Sequence, residues 1–438
     1  PVHYIEMSTV INGIAATRYE RLNMDSSPGM PWNKLRGIGD SGKKFLFVQD
    51  DLGQYSMRED LAIQTRNYLM GLKNGVRPPA IWVHMSKDER RALAKILGVS
   101  TRIFTMGPVE QTLADRALTM HFTAAFYDAH TRFYSAVGID PNSPVWTEMW
   151  DQLRSVSTEG CDGDYGAYDG TLDPDLIAMA MELIGEWTFS HCDEYTVCME
   201  EGDPITFSKE EYMRAMTILA AEFTHTTQVA MNSIHRKTQG NPSGNILTVI
   251  LNTIVGEAYV MLAYLGLSRN AGCLEYNLDT YAKLIKTFIF GDDNLISINP
   301  KLSDWFNPET ISVFFQAHGI EYTSAAKGMQ SQQARPLQEL TFLKRGFKPH
   351  SEYPRLITSP ISENTIYEYT NWIRTGCPNE DEQLYCQLNT ALREARAHGV
   401  SFYSRFLAKL NQALDDVGYE LIADEYDRLD EEWLAQFY

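Results

Sequence analysis

Two short β-type runs, Thr287-Phe288-Ile289-Phe290 and Leu295-Ile296-Ser297-Ile298, enclose Gly291-Asp292-Asp293-Asn294. Apolar runs on either side of a Gly/Asp/Asn cluster predict a β-hairpin with the turn residues at its tip. The backbone would then hold two adjacent carboxylates rigid and exposed. A second acid, Asp164 in Cys161-Asp162-Gly163-Asp164, follows another expected strand end. Two divalent ions about 3.5–4 Å apart need such acids on neighbouring strands. The hairpin alone also fits a plainer reading, because Asp and Asn are common turn residues whatever their chemistry.

The rest of the chain has to decide. With 438 residues it exceeds one small core, so several subdomains sharing a surface are expected. Its 44% hydrophobic and 22% charged residues exclude a disordered chain. A net charge of −19 argues by itself against a nucleic-acid partner, whose affinity comes from Lys and Arg. The acids are uneven, however. Between residues 411 and 438 Asp415, Asp416, Glu420, Asp424, Glu425, Asp427, Asp430, Glu431 and Glu432 face the single base Arg428, so local patches matter more than the total. Six Cys without a C-x-x-C pair give neither a disulfide framework nor a zinc pattern, and a reducing compartment fits. The start at Pro1 without Met is expected of a segment cut from a longer polyprotein.

Loops are predicted where turn residues cluster, at Ser26-Ser27-Pro28-Gly29-Met30-Pro31-Trp32 and across residues 37–42. Helical spacing of Leu113, Ala117, Met120 and Ala124 predicts a helix over residues 112–134. Asp173 should cap a helix that has Pro174 at its first position. The apolar stretch 246–267 carries Asn252 and Glu257 and reads as a buried core helix; no transmembrane segment is expected. Thr248 and Asn252, four apart, would share a face of it. Lys87, Arg91, Lys95 and Arg102 form a basic stretch suited to phosphates, or to a solvated helix face.

These residues together resemble the RNA-dependent RNA polymerases of picorna-like positive-strand RNA viruses, iflaviruses and dicistroviruses of arthropods among them. Asp164-Tyr165-Gly166-Ala167-Tyr168-Asp169 is similar to the first palm motif, and Asn241-Pro242-Ser243-Gly244 with Thr248 and Asn252 to the second. Phe290-Gly291-Asp292-Asp293 is similar to the third, with Phe where the family usually has Tyr. Thr323-Ser324-Ala325-Ala326-Lys327 resembles the general-acid segment and Phe342-Leu343-Lys344-Arg345 the primer grip. Lys87-Asp88-Glu89-Arg90-Arg91 resembles the basic finger motif, and residues 26–31 the template-entrance loop.

The resemblance implies an α+β right hand. Its fingers would be residues 1–150, its palm 151–190 and 236–346 with a connection at 191–235, and its helical thumb 347–438. It implies catalysis by Asp164, Asp292, Asp293 and Lys327, the three Asp holding two Mg2+, with Mn2+ as a substitute. Asp169, Ser243, Thr248 and Asn252 would select ribose, and their hydrogen-bonding capacity agrees with that. Lys87, Arg91, Lys95 and Arg102 would bind triphosphate and template. Ser26, Ser27, Pro28 and Gly29 would guide the template, and Phe342, Leu343, Lys344 and Arg345 the primer. Implied partners are an RNA template–primer, ribonucleoside triphosphates, a genome-linked protein primer and other viral replication proteins. The implied place is the host cytoplasm, at membrane-associated replication complexes. Only 25 residues precede the template-entrance loop, where the family has a longer N-terminal segment linking fingers to thumb, so reduced activity is expected. A reverse transcriptase shares the paired acids but crowds the 2′ position. A silent RNA-binding scaffold needs none of Asp164, Asp292, Asp293 and Lys327.

Overall fold

The structure is a computed structural model that describes residues 2–89, 91, 93–98, 101–324, 333–372 and 379–437. Mixed α+β architecture, as the sequence predicts, is divided between two compact units, residues 1–129 with 167–258 and residues 130–166 with 259–438.

The first unit combines helices with small sheets. Val2–Glu6 runs parallel to Glu194–Cys198, which pairs antiparallel with Ile205–Ser208. A four-stranded sheet has the order Ser233–Arg236, Thr227–Ala230, Ile81–Ser86, Ile103–Met106. Helix Pro174–Phe189 starts as expected: the Asp173 side chain accepts from the amides of Asp175 and Leu176, and Pro174 has no amide needing a partner. It packs on Lys209–Thr224, which opens with a reciprocal Ser208–Glu211 cap. The predicted helix at 112–134 is Val109–Asp128 and stops short, and Thr131 beyond it has left-handed backbone (φ +62°).

The second unit is built on an antiparallel sheet ordered Ile285–Phe290, Asp293–Ile298, Glu159–Tyr165, Tyr322–Ser324, with Arg335–Pro336 also paired to Glu159–Tyr165. Side chains alternate between faces along each strand. One face buries Phe288 and Leu295 against Trp146, Trp150 and Leu153 of helix Val145–Val156, together with Phe342 and Phe347. On the other, Tyr165 and Tyr322 pack with Phe315 of helix Pro308–Ala317. The C-terminal part is helical, as expected: Glu363–Tyr369, Glu380–Arg396, Val400–Val417 and Tyr426–Leu434 share a core that includes Leu388, Leu392, Tyr403, Phe406 and Leu429.

The apolar stretch 246–267 forms helix Thr248–Asn270. Among the described residues it alone is long and apolar enough to cross a membrane, and 67% of its most apolar window is buried within the protein. That burial fits a core helix.

Candidate active site

The predicted hairpin forms, with Phe290 paired to Asp293 across its tip. Its second strand then pairs with the strand of Asp164: Asn294 stands opposite Gly163 and Leu295 opposite Asp162. The next rung toward the tip brings Asp293 across from Asp164, where both side chains leave the same face. Asp164 is flanked on its other side by Thr323. Beneath this edge a buried network fixes the register, since Tyr322 OH donates to Asn294 Oδ1 (2.7 Å) and Asn294 Nδ2 donates to Gly163 O (3.2 Å).

Asp293 feels both of the other acids. Burial first, then the charges of Asp292 and Asp164, against the opposing Lys344 ammonium, raise the Asp293 carboxyl to about 6. Asp292 is exposed at the tip and Asp164 is half-buried. Hard oxygen donors under mutual repulsion suit a divalent cation such as Mg2+. Among the described residues no three His, Cys, Asp or Glu side chains are gathered closely enough to hold a metal as they stand.

Lys344 is delivered by the tightest turn in this region. Phe342 and Arg345 exchange both backbone hydrogen bonds (2.9 Å each), leaving Leu343 (φ +53°) and Lys344 (φ +61°) as a two-residue turn. Such turns normally use Asn-Gly, because side chains disfavour this conformation. Phe342 is buried against Trp146, which anchors the turn. Arg345 turns inward, making a bidentate pair with Glu394 (2.8 Å each) and donating to Ser359 O (2.9 Å). Its guanidinium is therefore engaged, and Lys344 is the exposed cation of the motif.

Sequence reasoning missed Asp162. Two residues before Asp164 and on the same face, its buried carboxylate accepts from Arg335 (2.6 Å), Thr341 N (3.0 Å) and Thr341 Oγ1 (3.3 Å). One carboxylate thus ties the strand of Asp164 to both ends of the stretch preceding the Phe342 turn. Lys327 and most of its motif lie outside the described residues.

The first unit gathers the residues that the sequence resemblance assigns to ribose selection. Asn252 Nδ2 donates to Asp169 Oδ1 (2.6 Å), and Asn252 Oδ1 accepts from Asn241 Nδ2 (3.1 Å). The loop before helix Thr248–Asn270 wraps Asp169, whose backbone oxygen accepts from Asn241 N (2.7 Å) and Lys237 Nζ (3.4 Å). Gly240 permits this approach: at φ +79°, a Cβ there would lie 2.4 Å from Asp169 O. Thr248 Oγ1 bonds Pro242 O (3.0 Å) and Asn245 O (2.7 Å), shaping the loop, and Ser243 Oγ accepts from Thr105 N (3.2 Å). Burial lowers the Lys237 pKa and Asp169 partly restores it. Asn241 stood in the motif without a task, and Lys237 was missed because it precedes the motif.

Of the basic residues, Lys87 (3.6 Å), Arg91 (3.2 Å) and Arg102 (3.7 Å) surround the carboxylate of Glu89. That arrangement leaves excess positive charge held in a fixed geometry. Among the described residues Lys95 takes no part in it and lies on the exposed helix Leu93–Leu97. The loop of residues 26–29, expected to guide the template, is fastened by Val109 N donating to Pro28 O (2.9 Å). Ser27 Oγ accepts from Gly29 N (3.3 Å), and Ser26 is exposed.

Comparisons with known proteins place the chain in a family. Residues 5–415 match the family described as viral RNA-dependent RNA polymerase. The genome polyprotein of rice tungro spherical virus (strain Vt6) is 30% identical over 424 residues, 93% of this chain and 12% of the polyprotein. That of deformed wing virus is 28% identical over 406 residues, 91% of this chain and 13% of the polyprotein. The chain thus spans roughly an eighth of these relatives. Among solved structures, the Sicinivirus 3Dpol RNA-dependent RNA polymerase shares the fold, with a TM-score of 0.78 and 22% identity over 100% of this chain and 82% of that one. This chain belongs to the viral RNA-dependent RNA polymerase family, among the enzymes of picorna-like viruses.

Proposed function

We propose that the chain extends an RNA primer along an RNA template by two-metal nucleotidyl transfer from ribonucleoside triphosphates. The observation that carries this is Asp293 on the rung across from Asp164, with Asp292 beside it at the hairpin tip and the charges of both acting on Asp293. Two Mg2+ ions, or Mn2+ in their place, would activate the primer 3′-hydroxyl and neutralise the departing pyrophosphate. Asp164, Asp292 and Asp293 would hold them. Lys344 would hold a primer phosphate near these acids, and the strained turn would keep its ammonium in place.

Asp169, oriented by Asn252, would accept a hydrogen bond from the substrate ribose, the group distinguishing RNA from DNA precursors. Lys87, Arg91 and Arg102 would bind the triphosphate, with Glu89 setting their spacing. Lys95 would add charge toward the template, residues 26–29 would guide that strand, and Lys327 would protonate the leaving group. In this reading the fingers, palm and thumb keep the boundaries expected from sequence. The polyprotein relatives support a setting in viral RNA replication in the host cytoplasm, at membrane-associated complexes, with a genome-linked protein primer and other replication proteins as partners.

Primer extension on a defined RNA template, with ribo- and deoxyribonucleotides side by side and with or without Mg2+, tests the proposal. Metal-dependent extension with ribonucleotides supports it. Preferential use of deoxyribonucleotides would favour a reverse transcriptase, and no extension with intact RNA binding would favour a silent scaffold.

A further inference from the structure

Asn252 Nδ2 donates to Asp169 Oδ1, but the same amide turned end for end would present an oxygen to that carboxylate and repel it. Something must therefore fix which end faces Asp169. Asn241 does so first, because its Nδ2 donates to Asn252 Oδ1 (3.1 Å). The same question passes to Asn241, whose Oδ1 accepts from Asn245 Nδ2 (3.1 Å). Asn245 Oδ1 in turn accepts from the Leu247 amide (3.0 Å), an Asx turn at the entry to helix Thr248–Asn270.

The row runs one way. Leu247 N–H can only donate and an ionised Asp169 carboxylate can only accept, so the two ends set the sense of every amide between them. An amide turned over within the row would set two donors against each other on one side and two acceptors on the other. Asn241, Asn245 and Asn252 are 1%, 6% and 4% exposed, so water has little access to mend such a mismatch. A buried polar group left unsatisfied is what makes the wrong turn costly. Backbone groups hold the row against the Asp169 segment as well, since Asn241 N donates to Asp169 O (2.7 Å) and Tyr168 OH donates to Asn252 O (2.9 Å).

We propose that Asn241 and Asn245 are positioning residues for sugar selection. They act through Asn252, keeping its Nδ2 on Asp169 Oδ1 so that the carboxylate meets a ribose hydroxyl in one fixed orientation. The proposal rests on the ribose reading given above and adds to it two residues that touch no substrate. Asn252 alone cannot supply this control, because its amide can turn about the last side-chain bond without moving the helix that carries it. A loop-shaping role alone would be met by the Leu247 turn and the Asn241 backbone bond. It gives no reason for a row of side-chain amides to reach Asp169.

The test measures kcat/KM for a ribonucleotide and its 2′-deoxy analogue on one RNA primer–template with Mg2+, using the full chain. Both nucleotides are read on the same preparation, so any misfolded fraction cancels in the ratio. Asn241→Leu replaces the amide with an apolar group of similar size and removes both of its links. Asn245→Ser keeps an acceptor for the Leu247 turn but is too short to reach Asn241. Each change should lower the ribo-to-deoxy ratio about tenfold, as the loss of a buried hydrogen bond implies. In an Asn252→Ala background the same changes should lower the ratio no further, because the row then has nothing to act through. An equal loss in that background would mean that the two residues shape the loop independently of Asn252, which overturns the proposal. An unchanged ratio in both variants, with a loss in Asn252→Ala, also overturns it and leaves the ribose reading standing. An unchanged ratio in Asn252→Ala itself overturns the ribose reading and this inference with it.

Discussion

Asp293 stands across the sheet from Asp164, one rung beyond the Asn294–Gly163 pair. Two strands 130 residues apart in sequence thus present carboxylates on one face, and the buried Tyr322–Asn294 hydrogen bond keeps them in register. A slip of one residue would send either acid to the opposite face.

Lys344 trades stability for its position. Its left-handed backbone costs roughly 1–2 kcal/mol relative to glycine. Lys344→Gly should therefore raise the denaturation midpoint while weakening primer binding. Urea titration and primer affinity on the same preparation would show it, and a parallel loss of both would place Lys344 in the scaffold instead.

Asp162 should matter to the fold more than its sequence position suggests. Arg335→Ala leaves a buried carboxylate without its cation, an arrangement that typically costs about 3–5 kcal/mol. Asp162→Ala with Arg335→Ala should cost less than the two single changes added together. Additive losses in a double-mutant cycle would mean that the pair does not act as a unit.

Asn252 is expected to act through Asp169, because both sides of its amide are already bonded within the protein. Asn252→Ala should lower the preference for ribo- over deoxyribonucleotides by about ten- to a hundredfold, as loss of about 1–3 kcal/mol of hydrogen bonding implies. The ratio of specificity constants measures it, and an unchanged ratio counts against a ribose role.

A pH effect on stability is expected from Asp115, whose carboxyl is buried and raised well above the ordinary range, first by desolvation and then by Glu222. The folded state therefore holds this proton more tightly than the unfolded state. The stability this contributes is full below the unfolded carboxyl pKa, near 3.9, and is lost as pH rises through the folded value. Asp115→Asn should stabilise the protein more at pH 8 than at pH 4.5. An equal effect in urea titrations at both pH values would contradict the assigned shift.

The parts legible in the sequence were those set by neighbouring residues. The Gly291-Asp292-Asp293-Asn294 tip, the Asp173 cap and the core helix from Thr248 each follow from a local pattern. What stayed hidden depends on residues far apart. Arg335 reaches Asp162 across 173 positions, and Arg345 is drawn inward by Glu394, 49 positions later. The Leu343-Lys344 turn contradicts local preference and forms because Phe342 is anchored by packing. Glu89 was visible between its cations, but its place as their common partner needed the strand that brings Arg102 alongside Lys87.

Asp292→Ala tests the metal-dependent chemistry most directly, with primer extension and RNA affinity measured on one preparation at saturating Mg2+. Extension should be abolished while RNA affinity stays nearly intact, because the strand is held mainly by basic residues. Extension at the wild-type rate would contradict the assignment of the acids.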